Sequence, residues 1–192
     1  MNPEEVIASL ERTGALLRGH FLLSSGLHSD SYIQCALALR HPGVAGELGA
    51  AIAELFAGDR VTLAAGPALG GVIVAHEVAR ALGVPCIFSE REGGIMTLRR
   101  GFSVAPGDRV LLVEDVITTG GSVLELDSLV RAAGGKVAGF GCIVDRSGGA
   151  SKLPVAPRAL VKMDLPAYRP ESCPMCRDGS KPVKPGSRTA RS

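Results

Sequence analysis

The 192-residue chain has no tryptophan, and only 4% of its residues are aromatic although 46% are hydrophobic. Its core must therefore come from Ala, Val, Leu and Ile, while 25 Gly and 12 Pro supply tight loops and close backbone approaches. Such a composition excludes disorder and a coiled coil. There is no long apolar run either. The longest uncharged stretch, residues 61–75, is interrupted by Gly66-Pro67 and Gly70-Gly71 and is too short to cross a bilayer, so no membrane role is expected. The opening Met1-Asn2-Pro3-Glu4-Glu5 is acidic and carries no apolar signal segment. An odd set of five cysteines does not make a secreted disulfide framework. A cytoplasmic protein is expected, and no internal repeat is visible.

Strong charge of one sign is also missing. The net charge of +2 divides into +4 in the segment from Arg169 onward and −2 in residues 1–168. The body thus lacks the basic face of a nucleic-acid binder, and the basic tail reads as solvated. No nucleic-acid partner is expected.

What is present is an alternation of apolar strands, Gly-rich turns and helices. Residues 3–13 read as a helix capped by Asn2 with Pro3 in its first turn. Residues 21–26 and 31–35 read as strands joined by a turn at 28–30, and 44–57 has helical periodicity. Strands are then expected at 61–65, 85–88, 109–113 and 136–144, with helices at 72–82 and 122–133. Continuous apolar strands separated by helices indicate an α/β fold whose central parallel sheet is flanked by helices. Residues 89–103 form a long loop or hairpin, a length that usually signals function. From about residue 166 the chain reads as an ordered hook with a flexible tail, about 177–192.

The chemistry concentrates in Glu114-Asp115-Val116-Ile117-Thr118-Thr119-Gly120-Gly121-Ser122, directly after the apolar run Val110–Val113. Gly120 and Gly121 let backbone amides approach an anion, Thr118, Thr119 and Ser122 add hydroxyl donors, and the following helix aims its free amides at the same point. Glu114 and Asp115 would repel a phosphate but accept hydrogen bonds from sugar hydroxyls. A phosphate cradle beside hydroxyl acceptors describes a ribose 5-phosphate site at the carboxyl end of a strand. No Lys precedes Ser122, which excludes a P-loop, and no G-x-G-x-x-G follows the first strand. A plain βα turn would explain Gly121-Ser122 but not paired carboxylates followed by two threonines.

This stretch resembles the phosphoribosyl pyrophosphate motif of type I phosphoribosyltransferases. Three flanking segments resemble the orotate phosphoribosyltransferase family in particular. They are Phe21-x-Leu23-x-Ser25-Gly26 with Ser29 and Tyr32, Gly66-Pro67-Ala68 with Gly70-Gly71, and Ile143-Val144-Asp145-Arg146. The resemblance implies a type I phosphoribosyltransferase fold in one domain spanning 1–192, with 1–40 and about 145–175 contributing to a small hood. It implies transfer of the phosphoribosyl group from phosphoribosyl pyrophosphate to orotate, with Mg²⁺ held mainly through substrate rather than by direct protein ligands. Glu114 to Ser122 together with Gly66, Pro67, Ala68 and Gly70 would bind phosphoribosyl pyrophosphate. Arg146, Thr118, Ser25 and Gly26 would bind orotate, and Asp115 would act in catalysis. A homodimer with shared active sites is implied, residues 89–103 closing over the partner's site.

The chain departs from the family pattern at two lysines, replaced by Ser24 and Gly70, and the loop 89–103 lacks the usual Lys and His. Departing pyrophosphate needs cations, so Arg91, Arg99 and Arg100 are expected to stand in, Arg91 being best aligned. The alternative for Arg99 and Arg100 is an ordinary solvated strand end. Transfer to a purine or uracil, and a regulatory protein that binds without turnover, are the competing functions; Arg146 favours a carboxylated base. Cys173-x-x-Cys176 has the shape of a zinc knuckle but supplies two ligands where structural zinc takes four. A tight turn is the expectation, with His20, His28 or His41 the residues that could complete a metal site. Cys35, Cys86 and Cys142 are expected to be buried, His76 to be a helix-face residue, and Glu125 and Asp127 to be ordinary solvated charges on the helix after the loop. Asp145 either orients Arg146 or serves a turn.

Overall fold

The computed structural model describes residues 1–23 and 25–185. Helix α1 (Pro3–Arg12) begins as expected: the Asn2 side chain accepts from the Glu5 amide, and the Glu5 carboxylate accepts from the Asn2 amide, each at 2.9 Å. Strands β1 (Leu16–Leu22) and β2 (His28–Ile33) pair antiparallel as a separate two-stranded sheet. Their turn comes before His28 rather than at 28–30, because Gly26 supplies the left-handed conformation (φ 81°) that the turn requires.

Short α2 (Ala36–Leu39) and α3 (Pro42–Glu54) lead into the main layer. That layer contains β3 (Leu63–Pro67), α4 (Gly70–Leu82), β4 (Cys86–Glu92), β5 (Ile95–Leu98), β6 (Arg109–Ile117), α5 (Gly121–Ala132), β7 (Lys136–Asp145) and β8 (Arg158–Lys162). Its six strands run in the order β5-β4-β3-β6-β7-β8, all neighbours parallel except the β4–β5 hairpin. Residues 89–103 thus take the hairpin option of the two expected from sequence.

Strand β6 shows why the sheet reads as apolar runs. Leu111 and Val113 face one core, with Val6 and Leu10 of α1, Leu48 and Ile52 of α3, and Val74 and Val78 of α4. Val110 and Leu112 face the other, with Val123, Leu126 and Val130 of α5. Both faces are dry, so alternation gives way to continuous hydrophobicity.

Strand order reverses between β3 and β6. From β3 the chain crosses to β4 on one side, and from β6 to β7 and β8 on the other. The loops leaving these two strands therefore open a crevice at their carboxyl ends, where ligands bind in such sheets.

Two expectations about the chain ends are corrected. Residues 158–162 form an edge strand of the central sheet rather than part of the hood, and α1 packs on the central core. Residues 177–183 are not a loose tail. After a 3₁₀ turn (Pro170–Ser172) and α6 (Pro174–Arg177), the Val183 amide donates to the His20 carbonyl at 2.8 Å and the Leu22 amide to the Val183 carbonyl at 2.9 Å. The remainder of the expected tail, residues 186–192, lies outside the described residues, as does Ser24.

Candidate active site

Strand β6 continues through Ile117, paired to Asp145 of β7, so Glu114 and Asp115 belong to the strand itself and not to the loop beyond it. Pairing to β7 at Glu114 and Val116 fixes the backbone that carries the two carboxylates. The Val116 amide donates to Asp115 Oδ1 at 2.8 Å, and the Asp115 amide to Glu114 Oε1 at 3.2 Å. Burial, then the neighbouring charge of Asp115, pushes the Glu114 carboxyl up to about 8. Burial also raises Asp115, against the pull of the Val116 amide. Glu114 therefore keeps a proton that a free carboxyl would have lost at neutral pH. It gains most from hydroxyl donors or positive charge brought by a ligand.

Beyond Ile117 the chain turns through Thr118 and Thr119 to Gly120, whose left-handed backbone (φ 78°) caps the start of α5. These loop residues, with Glu114, Val116, Ile117, Val123, Glu125 and Arg91, line a cavity of about 250 Å³. Amides at the amino end of a 12-residue helix face it, as an anion requires.

The second loop, Gly66 to Gly71, comes against the carboxylates from β3. A side-chain carbon at Gly70 would lie 2.5–2.7 Å from the Asp115 carboxyl atoms, and one at Gly71 would lie 3.0 Å from Glu114 Oε1. Gly66 is just as tightly closed, against the Gly71 carbonyl. Here Gly70 is a packing requirement of Asp115, which is a physical reason for a glycine where the family resemblance leads one to expect lysine. Pro67 ends β3, and Ala68 follows it in the same loop.

Arg146 follows β7, its amide donating to the Ile117 carbonyl at 2.8 Å, so it stands next to the start of the Thr118–Ser122 loop. Its guanidinium is half-buried, its Nε is buried without a hydrogen-bond partner, and burial lowers its pKa. Asp145 does not orient it: Asp145 Oδ1 accepts from the Ser147 amide at 2.9 Å and serves the turn. A desolvated cation lacking a partner is costly unless a ligand anion completes it.

The arginines of the hairpin separate. Arg91 reaches the cavity and is gripped by Glu125, Nη2 to Oε1 at 2.7 Å and Nη1 to Oε2 at 3.0 Å. Arg99 pairs with Glu92 at 3.4 Å, and Arg100 with Glu90 at 3.1 Å; neither lines the cavity. Ser25 and Gly26 form the exposed tip of the β1–β2 turn and are also absent from its lining.

Sequence reasoning missed Glu125, read as solvated, because nothing local ties it to a residue 34 positions away. Asp127 is likewise not a solvated charge. It is buried, with Oδ2 accepting from Arg131 Nε at 2.8 Å and Oδ1 lacking a partner. His76 lies exposed beside Glu77, as expected. Burial raises the thiol pKa of Cys35, Cys86 and Cys142.

Known proteins share this arrangement. Residues 39–155 match the phosphoribosyl transferase domain. The orotate phosphoribosyltransferase of Pelotomaculum thermopropionicum is 56% identical over 188 residues, covering 98% of this chain and 99% of that protein. That of Desulforamulus reducens is 50% identical over 188 residues, covering 98% of each. The crystal structure of Mycobacterium tuberculosis orotate phosphoribosyltransferase in complex with inorganic phosphate superposes with a TM-score of 0.68 at 28% identity. That superposition covers 83% of this chain and 95% of the other.

Proposed function

The chain belongs to the phosphoribosyl transferase family, among its orotate phosphoribosyltransferases, and from this we infer that it converts orotate and phosphoribosyl pyrophosphate to orotidine 5′-monophosphate and pyrophosphate. It is a pentosyl-transferring enzyme of pyrimidine biosynthesis. The observation that carries the choice of base is the partnerless, half-buried Arg146 beside the phosphate loop, since a guanidinium matches a carboxylate bidentately.

In the proposed arrangement the amides and hydroxyls of Thr118 to Ser122 hold the 5-phosphate, while Glu114 and Asp115 accept the ribose hydroxyls. Val116 and Ile117 shape the wall between them, and Gly66, Pro67, Ala68 and Gly70 border the pyrophosphate. Arg146 fixes the orotate carboxylate and Thr118 borders the base, with the Ser25–Gly26 tip closing over it. The bond from ribose C1 to pyrophosphate breaks with its electron pair leaving on the pyrophosphate oxygen. The ring nitrogen of orotate then forms the new bond to C1 and gives up its proton. No enzyme nucleophile is required; the protein contributes position and charge.

Mg²⁺ fits this site. Glu114 and Asp115 are adjacent buried carboxylates, and a cation brought in on substrate oxygens would offset the burial of their charge. Bound there, it would neutralise charge on the departing pyrophosphate.

Arg91 is the cation proposed to face that pyrophosphate, since the cavity brings it within reach; Arg99 and Arg100 would require the hairpin to move. Arg91→Ala is expected to lower kcat about 10-fold to 100-fold at an unchanged dissociation constant for orotate. Unaltered turnover would remove Arg91 from the reaction. Gly70→Ala would push the Asp115 carboxylate aside and cut kcat/KM for phosphoribosyl pyrophosphate by roughly 10-fold to 100-fold, with little change in melting temperature. An unchanged kcat/KM would mean that the close approach is not needed.

A homodimer with shared sites belongs to the same proposal, supported by apolar surface at the rim. Leu69 is 86% exposed, and Ile73 and Ile95 are exposed as well. No helix among the described residues is long and apolar enough to cross a membrane, and five free thiols support a cytoplasmic location. Pyrophosphate release with orotate, uracil and adenine as acceptors tests the base assignment. Release with orotate alone is expected; release with adenine or uracil at a similar rate would refute it.

A further inference from the structure

We propose that His20, His28, Cys173 and Cys176 bind a structural zinc ion that locks the carboxyl-terminal segment onto the β1–β2 hairpin. The four side chains come from three separate segments, and their ligand atoms all lie within 4.8 Å of one another. His20 Nε2 is 3.5 Å from Cys173 Sγ and 3.8 Å from Cys176 Sγ, while His28 Nδ1 is 3.3 Å from Cys176 Sγ and 2.9 Å from His20 Nε2. A tetrahedral zinc with ligands at about 2.0–2.3 Å separates its donor atoms by roughly 3.3–3.8 Å, so small shifts complete the site.

On this proposal Cys173-x-x-Cys176 is more than the tight turn expected from sequence. The pair supplies two ligands, and the hairpin supplies the missing two from about 150 positions earlier.

Three further features suit a metal rather than a chance cluster. Cys173 is 0%, His28 5% and His20 7% exposed, with Cys176 half-buried beside them, and polar groups buried together need a common partner. The second ring nitrogen of His20, Nδ1, lies 3.2 Å from Ser180 Oγ. A donor bond there leaves Nε2 free to ligate, the outer support a metal-bound histidine needs. The backbone around the thiols is wound like a knuckle. The Arg177 amide donates to the Cys173 carbonyl, the Gly179 amide to the Cys176 carbonyl and the Ser180 amide to the Met175 carbonyl, with Gly179 left-handed at φ 79°. Two thiolates and two imidazoles select zinc over the hard, oxygen-seeking magnesium.

The ion would act on structure, being outside the phosphate-loop cavity. Around the cluster, His28 and Tyr168 exchange both backbone hydrogen bonds at 2.8 Å, and Val183 is bonded to His20 and Leu22. These contacts support the turn bearing Ser25 and Gly26. Losing the ion should free residues 168–183 and loosen that turn.

The test uses untagged full-length protein purified without chelator. Metal analysis is expected to give about one zinc per chain, retained on dialysis and lost in Cys176→Ser and in His28→Asn. Exchange of wild-type protein with Co²⁺ should give the intense visible bands and thiolate charge-transfer absorption of a tetrahedral site with two thiolates. This readout does not depend on whether the variants fold. Stripping the ion should lower the melting temperature by about 10 °C or more, with zinc restoring it. Substoichiometric zinc together with a melting temperature unmoved by chelator would overturn the proposal. So would a thiol count showing Cys173 and Cys176 joined in a disulfide.

Discussion

Replacing Arg146 by alanine is expected to lower kcat/KM for orotate by about 100-fold to 1,000-fold while phosphoribosyl pyrophosphate binds nearly as before. Removing one member of a desolvated, hydrogen-bonded charge pair costs about 2–5 kcal/mol, and in the complex Arg146 would be that member. In the free protein it has no such partner: its Nε is buried and unpaired, and burial depresses its pKa. The variant should therefore melt no lower than the parent, since the deletion removes an uncompensated cation rather than a contact. Arg146→Lys keeps the charge but not the two-pronged geometry and should recover only part of the activity. Steady-state kinetics for orotate, calorimetric titration with phosphoribosyl pyrophosphate and a thermal melt distinguish these outcomes. An equal loss of affinity for both substrates would show that Arg146 supports the loop instead of the base.

The second large effect concerns Glu114 and Asp115. Asp115→Ala is expected to reduce kcat/KM for phosphoribosyl pyrophosphate by about 100-fold or more, because the ribose loses a fixed acceptor beside C1. The pH dependence carries more information. Burial lifts Glu114 to about 8, so in the free enzyme it keeps a proton at pH 7. A carboxyl raised in this way contributes stability that is complete below the ordinary carboxylate range and is lost as pH climbs toward 8. The free enzyme should therefore melt at progressively lower temperature between pH 5 and 8, and Glu114→Gln should flatten that slope. Substrate hydroxyls favour the ionised form, so binding releases protons and tightens with pH over the same window. The gain is at most about tenfold per pH unit for one proton. Affinity independent of pH in both parent and Glu114→Gln would show that the carboxylates do not meet the substrate.

The loop at the carboxyl end of β6 was legible because its residue types are contiguous. Carboxylates, hydroxyls, glycines and a helix start all fall within Glu114 to Ser122, and the physical role of each residue type follows from its neighbours. Parallel strands were legible for a similar reason, since burial on both faces leaves uninterrupted apolar runs. Pairing over distance was not. Strand β8 carries Arg158 and Lys162 at its ends and announces itself only by lying beside β7. The grip of Glu125 on Arg91 and the burial of Asp127 come from packing α5 across one face of the sheet, which no local pattern encodes. Cys173-x-x-Cys176 reads locally as a tight turn, and its meeting with His20 and His28 depends on the chain returning across the hairpin. The missing lysine at position 70 looked like a catalytic gap; the structure shows a glycine whose added side-chain carbon would displace the Asp115 carboxyl.

The most direct test of the central claim is the ultraviolet absorbance of orotate in the presence of purified protein, phosphoribosyl pyrophosphate and Mg²⁺. The account predicts a decline that requires all three additions, yields orotidine 5′-monophosphate and pyrophosphate in equal amounts, and nearly vanishes in Arg146→Ala. Absorbance that stays constant while phosphoribosyl pyrophosphate binds at the loop would contradict it, leaving a protein that holds the activated sugar without transferring it to orotate.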